Sequence, residues 1–157
     1  MRSILFVCTG NVFRSMIAEF ALKAALGPGP RYHVSSAGAL AVPQEIWAFV
    51  RDRLRARGID PTDHRPRRLT PEILDAADLV IAMGLDHRDH IKECFEKDAV
   101  LFNQLCCGKE ESVLDIFEAV PDWRTNERTR QRSPCRLRHR THLQRHPRPD
   151  REHRQTL

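Results

Sequence analysis

Ile4-Leu5-Phe6-Val7-Cys8-Thr9-Gly10-Asn11-Val12-Phe13-Arg14-Ser15 is the stretch that decides the fold. An apolar run of strand length ends at Cys8, a glycine and an asparagine punctuate the next turn, and a helical pattern opens at Ser15. Strand, tight loop and helix in that order aim several backbone N–H groups and the positive end of the helix dipole at one point. A dianionic phosphoryl group fits there. The same field, with Arg14 beside it, favours thiolate over thiol at Cys8, and the thiolate is the nucleophilic form. Arg14 supplies a planar fork of donors able to clamp two phosphoryl oxygens, a task Lys performs less well. Ser15 can donate to the sulfur, and Asn11 tolerates a left-handed backbone while bonding across the loop. Thr9, Gly10, Val12 and Phe13 complete the phosphate-binding turn. In a chain with 26 Lys and Arg the bare Cys-x5-Arg spacing carries little weight; the strand–loop–helix context carries it.

Working outward, strand-like runs recur at Tyr32 to Ser35, Leu79 to Met83 and Val100 to Phe102, with helical segments between them. The first helix places Ile17, Phe20, Ala21, Ala24 and Ala25 at three- and four-residue spacing, which predicts a core-facing stripe. The second carries Ile46, Val50 and Leu54 before Gly58 stops it. Thr70, followed by Pro71 and Glu72, reads as an N-cap with proline in the first turn. This alternation predicts an α/β fold: an open, doubly wound, four-stranded parallel sheet flanked by helices. Ligands of such sheets bind at the carboxyl ends of strands near the topological switch point, where the Cys8 loop falls.

The 157 residues, 41% hydrophobic, suit one domain with an adequate core. The first apolar run is too short for a signal peptide or membrane helix, so a cytoplasmic location with reduced thiols and no membrane partner is expected. Cys8, Cys94, Cys106, Cys107 and Cys135 show no CxxC spacing, which supports neither a zinc site nor a disulfide framework. The run Arg65, Arg67 and Arg68 reads as a solvated charged face.

From Ile4 to Trp123 the chain resembles the low-molecular-weight protein tyrosine phosphatases, a family built round Cys-x5-Arg-Ser at the first strand–helix junction. The likeness continues through Ser35-Ser36-Ala37-Gly38, Gly58-Ile59-Asp60, His64-Arg65-Pro66-Arg67-Arg68-Leu69-Thr70, Ala77-Asp78-Leu79-Val80-Ile81-Ala82-Met83 and Val120-Pro121-Asp122. The resemblance implies that Cys8 is the nucleophile, Arg14 the phosphate clamp and Asp122 the general acid and base, with Asn11, Ser36 and His64 holding the loop in shape. One carboxyl group serves both steps, since ester cleavage needs a proton on the leaving oxygen and the phosphocysteine then needs an activated water. Trp123 is expected to wall an aromatic substrate pocket. The implied substrate is a phosphorylated protein or a small aryl phosphate, with no metal and no organic cofactor. Phe13 replaces a cysteine common in relatives, Met16 a proline, and Gly84 an acidic residue. The loop from Ala39 to Val42 lacks the aromatic residue that often flanks the phosphotyrosine ring. Val12 resembles the tyrosine branch rather than the phosphoarginine branch, where threonine is usual. An arsenate reductase on the same fold is the alternative; it needs two further cysteines after the third strand, and Cys94 and the adjacent Cys106-Cys107 are poorly spaced for that.

Composition changes after Trp123. Residues 124–157 hold 11 Arg and 3 acidic side chains, a net of +8, whereas residues 1–123 hold 15 basic and 18 acidic ones, a net of −3. Pro134, Pro147 and Pro149 and the lack of an apolar stripe argue against the amphipathic helix with which relatives end. The division expected is a catalytic unit over 1–123 and an atypical Arg-rich segment over 124–157, disordered in large part, left by a reading-frame change or a divergent end. Nucleic acid is a partner only through that basic tail, in the alternative of a low-activity chain.

Overall fold

The computed structural model describes residues 2–29 and 31–119; Asp122, Trp123 and the Arg-rich segment 124–157 lie outside them. In chain order the elements are β1 (Arg2–Cys8), α1 (Arg14–Leu26), β2 (Tyr32–Gly38), α2 (Ala48–Arg55), α3 (Pro71–Asp75), β3 (Leu79–Ala82), α4 (Leu85–Phe95), β4 (Val100–Leu101), α5 (Phe102–Cys107) and α6 (Ile116–Ala119). All strand pairs are parallel and the sheet order is β2-β1-β3-β4. The chain leaves β1 for one side of the sheet and returns to the other, so β1 is the switch strand. Cys8 ends it.

The continuous apolar run of β1 follows from burial on both faces. Side chains alternate: Leu5 and Val7 point into a cluster with Leu74, Val80, Ala82, Ile91 and Leu101, under α3 and α4. Phe6 and Cys8 point the other way, into a cluster with Val34, Ile81 and Met83 against Ala18 and Leu22 of α1. The nucleophile candidate thereby faces the helix that follows it. A third cluster joins Met16 of α1 to Val50 and Leu54 of α2, with Phe13, Ile46 and Trp47 packed on it. Each fully buried side chain of this size contributes about 1.5–3 kcal/mol.

Of the stripe expected on α1, Ile17 and Phe20 pack partly buried on the third cluster and the alanines do not. Ala21, Ala24 and Ala25 are exposed, while Ser15, Met16 and Glu19 face inward. The alanines bury little apolar area, so their side of the helix stays at the surface; Glu19 turns inward because Ser36 meets its carboxylate. Thr70 is the N-cap of α3, accepting from Ile73 N at 3.4 Å with Pro71 in the first turn. Gly58, at φ +74°, follows the turn that ends α2.

Candidate active site

Between the end of β1 and the start of α1 the chain turns around the Cys8 sulfur. Cys8 is 3% exposed; Asn11 and Ser15 are fully buried. Ser15 Oγ lies 2.9 Å from Cys8 Sγ, and Asn11 N donates to the sulfur at 3.4 Å. Asn11 adopts φ +56°, a left-handed conformation asparagine tolerates because its side chain bonds locally. Its Nδ2 donates to Ser36 Oγ at 2.7 Å and to Ser15 Oγ at 3.1 Å; its Oδ1 accepts from Arg67 N at 3.1 Å. Its carbonyl accepts from His64 Nε2 at 2.7 Å, which fixes that ring nitrogen as the protonated one. Burial holds the His64 pKa below its ordinary value. Ser36 Oγ donates in turn to Glu19, whose second oxygen accepts from Lys23.

The segment after β2 docks on the loop. Ala39 N donates to Cys8 O and Leu40 N to Thr9 O, each at 2.9 Å. Gly38 is required by that approach: a Cβ there would stand 2.6 Å from Thr9 O and 2.9 Å from Asn11 N. On the opposite side Thr9 Oγ1 and His87 Nε2 lie 2.8 Å apart. His87 is 2% exposed, and burial, outweighing the attraction of Asp86, pushes its pKa down to about 4. A Cβ at Gly84 would stand 2.5 Å from Asp86 Oδ1 and 3.0 Å from His87 Nδ1.

Arg14 opens α1 beside the loop, its side chain 10% exposed. Its guanidinium donates to Asp115 Oδ2 at 2.6 Å and to Val113 O at 3.3 Å. The segment carrying Asp115 is itself anchored, with Val113 N donating to Met83 O at 2.8 Å and Ile116 buried. Phe13 leaves the loop to pack on Trp47, ring centroids 6.3 Å apart.

Cys8, Asn11, Ser15, Ser36 and His64 thus form one bonded unit. Asp122 and Trp123 fall outside the described residues. Three contributors were missed from sequence: Glu19, His87 and Asp115. An acidic residue one helical turn after Ser15 was the available sign of Glu19, and Val113-Leu114-Asp115-Ile116, an apolar stretch broken by one carboxylate, that of Asp115. Cys94, Cys106 and Cys107 are exposed, whereas Cys8 is buried.

Comparison with known proteins agrees with this geometry. The family model of the low molecular weight phosphotyrosine protein phosphatases matches residues 3–117. A protein-arginine-phosphatase of Geobacillus stearothermophilus is 36% identical over 118 residues, covering 73% of this chain and 78% of the relative. A probable low molecular weight protein-tyrosine-phosphatase, AmsI of Erwinia amylovora, is 34% identical over 132 residues, covering 76% and 88%. The solved arginine phosphatase from Geobacillus stearothermophilus superposes with a TM-score of 0.67 at 34% identity, covering 74% of this chain and 77% of that one. With the matching model spanning most of its length and its cysteine loop closing the first strand of the parallel sheet, this chain belongs to the low molecular weight phosphotyrosine protein phosphatase family.

Proposed function

We propose that the chain hydrolyses phosphotyrosine-type monoesters through a phosphocysteine intermediate. The observation that carries this is the seating of Cys8 Sγ between Ser15 Oγ and Asn11 N, directly under the first turn of α1 that Arg14 begins. In the first step the Cys8 thiolate attacks phosphorus, the S–P bond forms, and the P–O bond to the leaving group breaks as a carboxylic acid protonates the leaving oxygen. In the second, the same group, now a carboxylate, takes a proton from water, which attacks phosphorus and releases phosphate and the thiolate. Arg14 exchanges its carboxylate partner for two phosphoryl oxygens and neutralises charge developing in both steps.

Of the two carboxylates available for the acid–base role, Asp115 is favoured by its place on the Arg14 guanidinium and within the matched residues 3–117. Asp122, the sequence assignment, lies outside the matched residues and outside the described ones. A phosphoarginine substrate is the second reading, favoured by the 36% identity to a protein-arginine-phosphatase; Val12, apolar where the resemblance puts threonine in the phosphoarginine branch, favours tyrosine.

The test is turnover of nitrophenyl phosphate with EDTA present and vanadate as competitor, followed by phosphotyrosine and phosphoarginine peptides at equal concentration. Cys8→Ser abolishes turnover, since an unactivated hydroxyl is a poor nucleophile. Asp115→Asn lowers kcat about a hundredfold or more, the usual share of general acid catalysis, while Asp122→Asn stays near normal. The reverse order for the two aspartates would return the role to Asp122, and turnover by Cys8→Ser would remove the mechanism.

A further inference from the structure

Beside the loop, between residues 43–46, residues 62–66 and α2, lies a cleft of about 700 Å³. The basic residues in it are Arg51, Arg55 and Arg65, with His64 at the rim nearest the catalytic loop. Arg51 and Arg55 are one helical turn apart and share a face. Arg55 donates through one terminal nitrogen to Thr62 Oγ1 at 2.7 Å and through Nε to Asp60 at 3.4 Å. Arg65 donates to Thr62 O at 3.0 Å and to His64 O at 2.8 Å. One residue, Thr62, therefore holds two guanidinium groups side by side, one by its hydroxyl and one by its carbonyl.

These bonds take two of the five donors on each guanidinium and leave the rest for a ligand. Arg51 Nε is buried with no hydrogen-bond partner among the described residues, the Asp52 carboxylate standing 3.7 Å away. Asp60 and Asp52 approach Arg55 and Arg51 from outside the cleft, and among the described lining residues three arginines face one carboxylate, Glu45. Like charges gathered at a concave surface raise the local concentration of anions, and the planar Arg fork matches a carboxylate geometrically. Ile46, Pro43 and Pro66 supply apolar lining for the stem of an acidic side chain.

The cleft is coupled to the site by His64, which lines it and donates to the carbonyl of Asn11, the residue whose N–H meets the Cys8 sulfur.

We propose that this cleft binds the carboxylate side chains of an acidic segment flanking the phosphorylated residue of a protein substrate. The proposal rests on the phosphatase reading. It narrows the substrate from any aryl phosphate to a phosphoresidue with Asp or Glu a few positions away.

The experiment uses the full chain and three phosphotyrosine peptides that differ only in having Glu, Gln or Lys at the third to fifth positions on each side. The Glu peptide gives a kcat/KM about tenfold above the Gln peptide, mainly through KM, and the Lys peptide falls below both; several partly exposed ion pairs supply a factor of that order. The preference shrinks severalfold in 0.5 M salt. Arg51→Gln/Arg55→Gln, checked by circular dichroism, removes the preference and leaves nitrophenyl phosphate kinetics unchanged. Binding of labelled peptides to Cys8→Ser, followed by anisotropy, repeats the comparison without chemistry. Nitrophenyl phosphate turnover without peptide discrimination, or a preference that survives the double variant, overturns the cleft. Discriminating binding in a chain that turns over nothing overturns the phosphatase reading and upholds the cleft.

Discussion

Asn11→Ala tests how the loop is held. The side chain makes three bonds: buried ones to Ser36 Oγ and Ser15 Oγ and a part-buried one from Arg67 N. Ser36 keeps Glu19 as a partner and Ser15 keeps Cys8, so the loss of those two bonds costs about 1 kcal/mol each. Arg67 N–H, only part-buried, loses this acceptor at about 1 kcal/mol, the low end of the range for an orphaned donor. Alanine at φ +56° adds about 1 kcal/mol of backbone strain that asparagine partly relieves. The expected loss is about 4 kcal/mol, a large share of the 5–15 kcal/mol by which domains are stable. Urea unfolding followed by far-UV circular dichroism reads it as a midpoint lowered by about 2 M, taking a slope of about 2 kcal/mol/M. Asn11→Gly, which removes the same bonds and no left-handed preference, recovers about 1 kcal/mol of it. A midpoint within 0.5 M of the parent protein, with normal turnover, would refute the claim that these bonds shape the loop.

His87 titrates at about 4 in the folded protein against about 6.5 when unfolded, so below pH 6.5 the unfolded chain takes up a proton that the native one refuses. Stability present above pH 6.5 is therefore lost as pH falls toward 4, by up to about 3 kcal/mol, and His87→Gln flattens that decline; matching pH slopes in the two proteins would contradict it. Gly38→Ala drives a methyl into Thr9 O and Asn11 N, both backbone atoms of the loop, and costs about 1–3 kcal/mol together with most phosphate binding, measured by calorimetric titration with phosphate.

By itself the sequence determined the order of elements and the position of the loop. Both signals are local: an apolar run of strand length, a Gly and an Asn in the turn, a Thr-Pro helix start, all acting within a few residues. It likewise determined that Cys8, Asn11, Arg14 and Ser15 share one turn, because seven residues of loop and first helical turn cannot separate them far. Only the tertiary structure decided which face of α1 is buried, since alanines at helical spacing carry little burial energy and an inward Glu19 is stable only when Ser36 crosses to meet it. The same holds for the partners that sit 53 to 101 positions from the loop residues they bond: His64 on Asn11, His87 on Thr9, Asp115 on Arg14. A parallel sheet collects such residues at the carboxyl ends of its strands through long crossovers. Their pairing is set by strand order, which no local pattern encodes.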